Sequence, residues 1–217
     1  MSDDPSPESG SRWLRPSRME AFSDGVFAIA ITLLVLDLAV PEPGSGVGHA
    51  LLDQWPLFTA YVVSFASVGA VWIAHSTITN HLERVDSVLL RLNLLLLFFV
   101  SVLPFPTKML AEFIGEFGPE RIAVTIYGIN LLAMSAMTSV VWRHAVAEGM
   151  LSGEHPQDEV QEVTKKLTPS LGFYAAAIAI GLLAPRLAVF LYLAIALYLL
   201  IPFHVVLQRR RRRTHSE

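Results

Sequence analysis

Long apolar runs separated by short polar stretches dominate the chain. The first runs from Ala21 to Val40 and stops at Pro41-Glu42-Pro43-Gly44. The second runs from Trp55 to about Thr79, the third from Val88 to Met109 with a break at Pro104-Phe105-Pro106, and the fourth from Ile122 to Trp142. A last block, Leu171 to Leu207, is too long for one membrane crossing, since about 20 helical residues already span the roughly 30 Å hydrocarbon core. Ala184-Pro185-Arg186 divides it, because proline lacks the amide hydrogen that a helix interior needs. The pattern predicts an all-α membrane protein with six transmembrane helices in residues 18–207. Residues 1–17, rich in Ser, Pro and Asp, read as a disordered tail, and residues 208–217 as a basic tail.

Composition supports this reading. The chain has 217 residues, 53% hydrophobic and 16% charged, with a mean hydropathy of +0.51. A soluble domain carries nearer a quarter charged residues, so the apolar excess needs lipid. The absence of cysteine excludes disulfides, thiol nucleophiles and Cys-based metal sites. A secretory signal peptide is the rival for the first run, with Arg12, Arg15 and Arg18 ahead of it and small residues near Ala39. Asp24 and Gly25 inside the run, and no soluble protein after it, argue against that.

Charge supplies the orientation. Arg12, Arg15 and Arg18 precede the first run; Arg84 and Arg91, then Arg143, Lys165 and Lys166, fall in the even-numbered loops; and Arg209 to Arg213 close the chain. The odd-numbered loops offer Lys108, Arg121 and Arg186 beside Glu42, Asp53, Glu112, Glu116 and Glu120. Basic residues mark the cytoplasmic side, so both termini are expected there. Between the fourth and fifth runs, Val160, Val163 and Leu167 recur at helical spacing among charges and predict a short amphipathic helix leading into the fifth. The arginine run Arg209–Arg213 reads as a topology anchor that can hold anionic lipid headgroups, with no nucleic-acid partner expected. His81, His144, His155 and His215 fall in loops or tail, where solvated or interfacial roles are expected.

The candidate chemistry lies at the first run. Arg18, Glu20 and Asp24 sit at its entrance, and an ionisable group inside a membrane helix normally faces protein or water. At about 100° per residue, Phe22, Gly25, Ile29, Thr32, Leu33 and Leu36 share one face, while Ser23 and Asp24 fall roughly opposite. Polar partners are available in Trp72 and His75, three apart in the second run, and Asn93 in the third. A network among them either ties helices together, at about 0.6–2 kcal/mol per contact, or handles ions or protons. No Gly-Tyr-Gly carbonyl filter with a pore loop, H-E-x-x-H, Gly-rich nucleotide loop or G-x-S-x-G occurs. No repeat relates the two halves, which weakens an alternating-access reading. A secondary transporter using Asp24 and His75 is the runner-up to a channel. An intramembrane enzyme lacks any nucleophile or metal site, so the chain does not read as an enzyme.

Arg18-x-x-x-Phe22-Ser23-Asp24, running through Gly25 to Leu36, resembles the opening helix of the transmembrane protein 175 family of endosomal and lysosomal potassium channels and their prokaryotic relatives. Trp72-x-x-His75, Asn93 and Pro104-Phe105-Pro106 continue the likeness over about the first 110 residues; the rest matches only in span count. The resemblance implies a potassium-preferring cation channel without a pore loop, in a prokaryotic cell membrane. A chain with one Arg18–Asp24 motif would assemble as a homotetramer around one pore, with potassium as the permeating ion and no cofactor. By position, Ile29, Leu33 and Leu36 would form the apolar constriction and Thr32 the hydroxyl contributing to selectivity. Arg18, Ser23, Asp24, Trp72, His75 and Asn93 would pack behind the pore helix. A ring of Ile and Leu side chains can gate by dewetting, and Asp37 and Glu42 near the outer mouth would concentrate cations.

Overall fold

A computed structural model describes residues 15–38, 40, 47–116, 118–153 and 157–200, and these are all-α apart from one isolated antiparallel bridge between Leu82 and Leu151. Helix α1, Pro16–Leu34, opens with proline in its first turn, where a missing amide hydrogen costs nothing, and runs on into a 3-10 turn, Val35–Asp37. A short α2, Val47–Asp53, leads into α3, Trp55–His81. The third apolar run folds as α4, Ser87–Val102, and α5, Pro104–Phe113, with the change at the predicted prolines. Helix α6 covers Pro119–Ala147, α7 Gln157–Gly181 and α8 Pro185–Leu200.

Four stretches are long and apolar enough to cross a membrane: Pro16–Asp37, Trp55–His81, Ser87–Phe113 and Pro119–Ala147. Helix α8 is apolar but shorter, at 16 residues. The last apolar block is divided as expected, with Leu183 and Ala184 amides both donating to the Ile180 carbonyl before Pro185 opens α8.

The amphipathic segment behaves differently from the expectation. It is not a separate helix but the first half of α7, continuous through Pro169. Val163 and Leu167 are buried against Val141, Trp142 and Ala145 at the end of α6, and Trp142 Nε1 donates to Thr164 Oγ1 at 2.8 Å. Side-on packing against α6 supports the helix where proline removes one backbone bond.

Helix α1 packs against α3 and α4, α3 against α5 and α8, and α6 against α4, α5 and α7. One apolar core runs through all of these. Close approach of α6 and α8 needs Gly128, where an added Cβ would collide with the Tyr192 hydroxyl and Ile178. A second, smaller core gathers Met19 of α1, Ile78 of α3, Leu89 of α4 and Trp142 of α6 at one end of the bundle.

Candidate functional site

Helix α1 has two unlike faces. Met19, Ser23, Phe27, Ala30 and Leu34, spaced four, four, three and four apart, are buried against the rest of the chain. Phe22, Ile29, Leu33 and Leu36 are 57%, 61%, 42% and 75% exposed. Gly25 and Thr32 lie on the same uncovered side. The apolar stripe read from helical periodicity is thus a face that no other part of the described chain covers. The Thr32 hydroxyl donates to the Ile29 carbonyl at 2.9 Å, which leaves its oxygen lone pairs on the open face.

The polar residues behind this face separate into two groups. One is a buried relay: Ser23 Oγ donates to the Met19 carbonyl at 2.8 Å, Asn93 Nδ2 donates to Ser23 Oγ at 2.9 Å, and His75 Nε2 lies 2.9 Å from Asn93 Oδ1. Because Asn93 Oδ1 can only accept, His75 donates from Nε2; its buried Nδ1 has no hydrogen-bond partner among the described residues. The His75 ring also packs on Phe27, with centroids 5.5 Å apart. This relay joins α1, α3 and α4 by side chains that water does not reach. The other group is an exposed pair, Trp72 Nε1 donating to Asp24 Oδ1 at 2.9 Å. Adjacent residues Ser23 and Asp24 therefore serve different partners, one inside and one outside. Arg18 is exposed and makes no hydrogen bond or ion pair among the described residues, so it joins neither group. Asp37 ends the 3-10 turn, half-buried. Glu42 and Arg209–Arg213 lie outside the described residues.

Two further polar groups escaped the sequence reading. Ser64 Oγ lies 2.8 Å from Thr107 Oγ1 and 3.0 Å from the Tyr127 hydroxyl, tying α3 to α5 and α6 deep in the bundle. At the other end, Asp86 caps α4 by accepting from the Leu89 amide at 2.6 Å and faces His144 Nε2 at 3.0 Å. Burial pushes the Asp86 carboxyl up, but the Leu89 amide, His144 and the Val88 amide together outweigh it and hold it below the usual aspartate range. An Asp before a helical run is a readable cap signal, whereas isolated hydroxyls in apolar runs carry none. His144 and His81 lie not in loops but in the last turns of α6 and α3, and His81 is buried, with Nδ1 donating to the Thr77 carbonyl at 2.6 Å and its ring edge-on to Trp142. His155 and His215 lie outside the described residues. Among the described residues, no group of three or more His, Asp or Glu side chains is arranged to hold a metal ion.

Residues 18–104 match the family described as the endosomal/lysosomal potassium channel TMEM175. A potassium channel from Chamaesiphon minutus is 37% identical over 187 residues, covering 83% of this chain and 91% of that protein. The chain belongs to the TMEM175 family. A Streptomyces collinus potassium channel is 47% identical over 137 residues, 62% of this chain and 66% of that protein. The human endosomal/lysosomal proton channel TMEM175 is 36% identical over 146 residues, which are 60% of this chain and 29% of the human protein. The crystal structure of the Chamaesiphon minutus homologue, described as a lysosomal potassium-selective channel TMEM175 homolog, superposes with a TM-score of 0.77 at 36% identity, over 85% of this chain and 95% of that one. TMEM175 relatives are ion channels, and this membrane protein is not an enzyme.

Proposed function

We propose that this chain is a potassium-permeable cation channel in which α1 from each of four copies lines one pore. The observation that carries the reading is the two-faced α1. One face is fixed by Phe27 and the Ser23–Asn93–His75 relay, and the other leaves Ile29, Thr32, Leu33 and Leu36 exposed among the described residues. Gly25 and Thr32 lie on exposed positions among the apolar ones, which suits a water-filled axis better than lipid alone. The bacterial relatives matched over most of their length are named potassium channels, which supports potassium as the permeant ion.

In this channel, rings of Ile29, Leu33 and Leu36 form an apolar neck that gates by dewetting, with no pore-loop filter. Thr32 hydroxyl oxygens replace part of the ion's hydration next to that neck. Ser23, Asn93 and His75 hold α1 at its distance from the axis, with Trp72–Asp24 closing the flank; Arg18, which has no partner among the described residues, faces the neighbouring copy or the cytoplasm. Asp37 and Glu42 raise cation concentration at the outer mouth. Residues 18–207 form the channel unit, crossing the membrane of a prokaryotic cell six times, with both tails, 1–17 and 208–217, on the cytoplasmic side. Arg84 and Arg143 lie toward the same bundle end as the start of α1, in keeping with that orientation. The Arg209–Arg213 run holds anionic headgroups of the inner leaflet.

A coupled transporter built on Asp24 and His75 fits less well: Asp24 is exposed and pairs with Trp72, while His75 is buried and pairs with Asn93. Purified protein in a planar bilayer, with potassium and sodium on opposite sides, tests the proposal. Stepwise single-channel currents reversing toward the potassium equilibrium potential are expected. Saturable, stepless flux that follows a proton gradient would contradict it.

A further inference from the structure

At the end of the bundle where the α5–α6 and α7–α8 turns meet lies a cavity of about 360 Å³. Its cationic wall is Arg121 and Arg186. Glu120, 8% exposed, takes Arg186 as its partner, Nε to Oε1 at 3.3 Å, and the Arg121 side chain has no ion-pair partner among the described residues. One positive charge is therefore left uncompensated on the wall. The chain enters through Gly118 at φ 98°, a conformation closed to most residues, and the first turns of α6 and α8 open onto the same space. Its rim is Leu183, 87% exposed, and Leu187, 52% exposed, neither of which suits open water.

A separate apolar groove of about 290 Å³ lies between α7 and α8. On α8, Leu187 lines the cavity, and Leu191, Ala194 and Tyr198 line the groove at four, seven and eleven residues further on, one helical face. On α7, Phe173, Ala176 and Ile180 line the groove at helical spacing. Alanine at 176, 177 and 194 makes the depression, and the Phe173–Tyr198 ring pair closes its far end with centroids 6.2 Å apart. From Ile180 to Phe173 the groove is about two helical turns, or roughly 10 Å, long.

We infer that this cavity and groove together form a binding site for one anionic diacyl phospholipid, its phosphodiester against Arg121 and Arg186 and one acyl chain between α7 and α8. A phosphodiester carries the single negative charge the wall lacks, and guanidinium groups are suited to its oxygens. An acyl chain matches a groove that offers no hydrogen-bonding group along its upper length. The inference rests on the reading of α7 and α8 as membrane-crossing helices, but not on conduction. It lies at the opposite end of the bundle from the His144–Asp86 pair.

Native mass spectrometry of the full chain, equilibrated with phosphatidylglycerol, phosphatidylcholine or free glycerol 3-phosphate, tests it. Phosphatidylglycerol should be retained, phosphatidylcholine less, and glycerol 3-phosphate not at all. Arg121→Gln, which leaves the Glu120–Arg186 pair intact, and Ala194→Phe, which fills the groove from its exposed side, should each lower retention by about fivefold or more. Unchanged retention in either variant would overturn the site. So would glycerol phosphate bound as well as the lipid, which would make it a free-phosphate site. Loss of the oligomer in Ala194→Phe with lipid retention unchanged would assign the groove to a neighbouring copy instead. Bilayer currents from wild-type protein report on conduction alone, so the channel reading and the lipid site can fail separately.

Discussion

The two faces of α1 have nearly the same apolar composition and opposite surroundings. Phe27 and Leu34 are each 1% exposed, whereas Ile29 and Leu36, a turn or less away, are 61% and 75% exposed. What separates them is the buried relay. Ser23 sits on the covered face with a hydroxyl that must find partners, and Asn93 and His75 satisfy it in turn. Leucine and isoleucine can pack in many registers, but the Ser23–Asn93–His75 bonds form only where each donor faces its acceptor. The polar residues thus choose the face, and the apolar ones supply most of the energy. Substitutions on the covered face should act on stability, and those on the open face on permeation.

The largest stability effect should come from Phe27→Ala. It removes a fully buried ring packed on His75 and leaves a cavity, costing about 3–5 kcal/mol. Thermal unfolding in detergent checks this, and a melting temperature within a degree or two of wild type would break the contrast between faces. Next is Asn93→Ala, which leaves the His75 Nε2 donor and the Ser23 hydroxyl without their shared partner at about 1–3 kcal/mol. Asp24→Ala, which breaks only the exposed Trp72 contact, should cost less than Asn93→Ala in the same assay; the reverse order would mean that the exposed pair, not the relay, holds α1.

The smallest effect concerns Asp86. Its folded pKa is depressed, so its contribution is present above the ordinary aspartate pKa of about 3.9 and is lost as pH falls through the lower folded value. Asp86→Ala should cost about 1 kcal/mol at neutral pH by removing the α4 cap. That difference should shrink as both proteins are acidified below about pH 3. A gap that stays constant with pH would mean that the carboxylate charge contributes nothing.

Most of the helical layout was legible because apolar runs broken by prolines leave little freedom: α3 starts at Trp55, the α4–α5 break falls at Pro104 and the α7–α8 turn at Pro185, while α6 extends past the Ile122–Trp142 run at both ends, to Pro119 and Ala147. The stripe Phe22–Leu36 was legible for the same reason, since periodicity alone fixes which residues share a face. Which polar residue meets which was not. Ser23 and Asp24 are only 100° apart, and periodicity put both roughly opposite the stripe; the position of α3, which has Trp72 at its edge and His75 on its inner side, sends one inward and the other outward. The continuity of α7 through Pro169 was hidden because it depends on Trp142 and Thr164 meeting across two helices. The Ser64–Thr107–Tyr127 group was hidden because single hydroxyls leave an apolar pattern unchanged.

The central claim is that the open face of α1 borders a permeation path, and Leu33 tests it most directly. In a folded protein, single-channel recording of Leu33→Asn beside wild type introduces a hydrogen-bonding amide into the proposed neck without opening a core cavity. If four Leu33 side chains form a dewetted ring, the wetted neck should show higher conductance or open probability and weaker discrimination between potassium and sodium. Unaltered currents and selectivity from folded Leu33→Asn channels would remove this face from the pore.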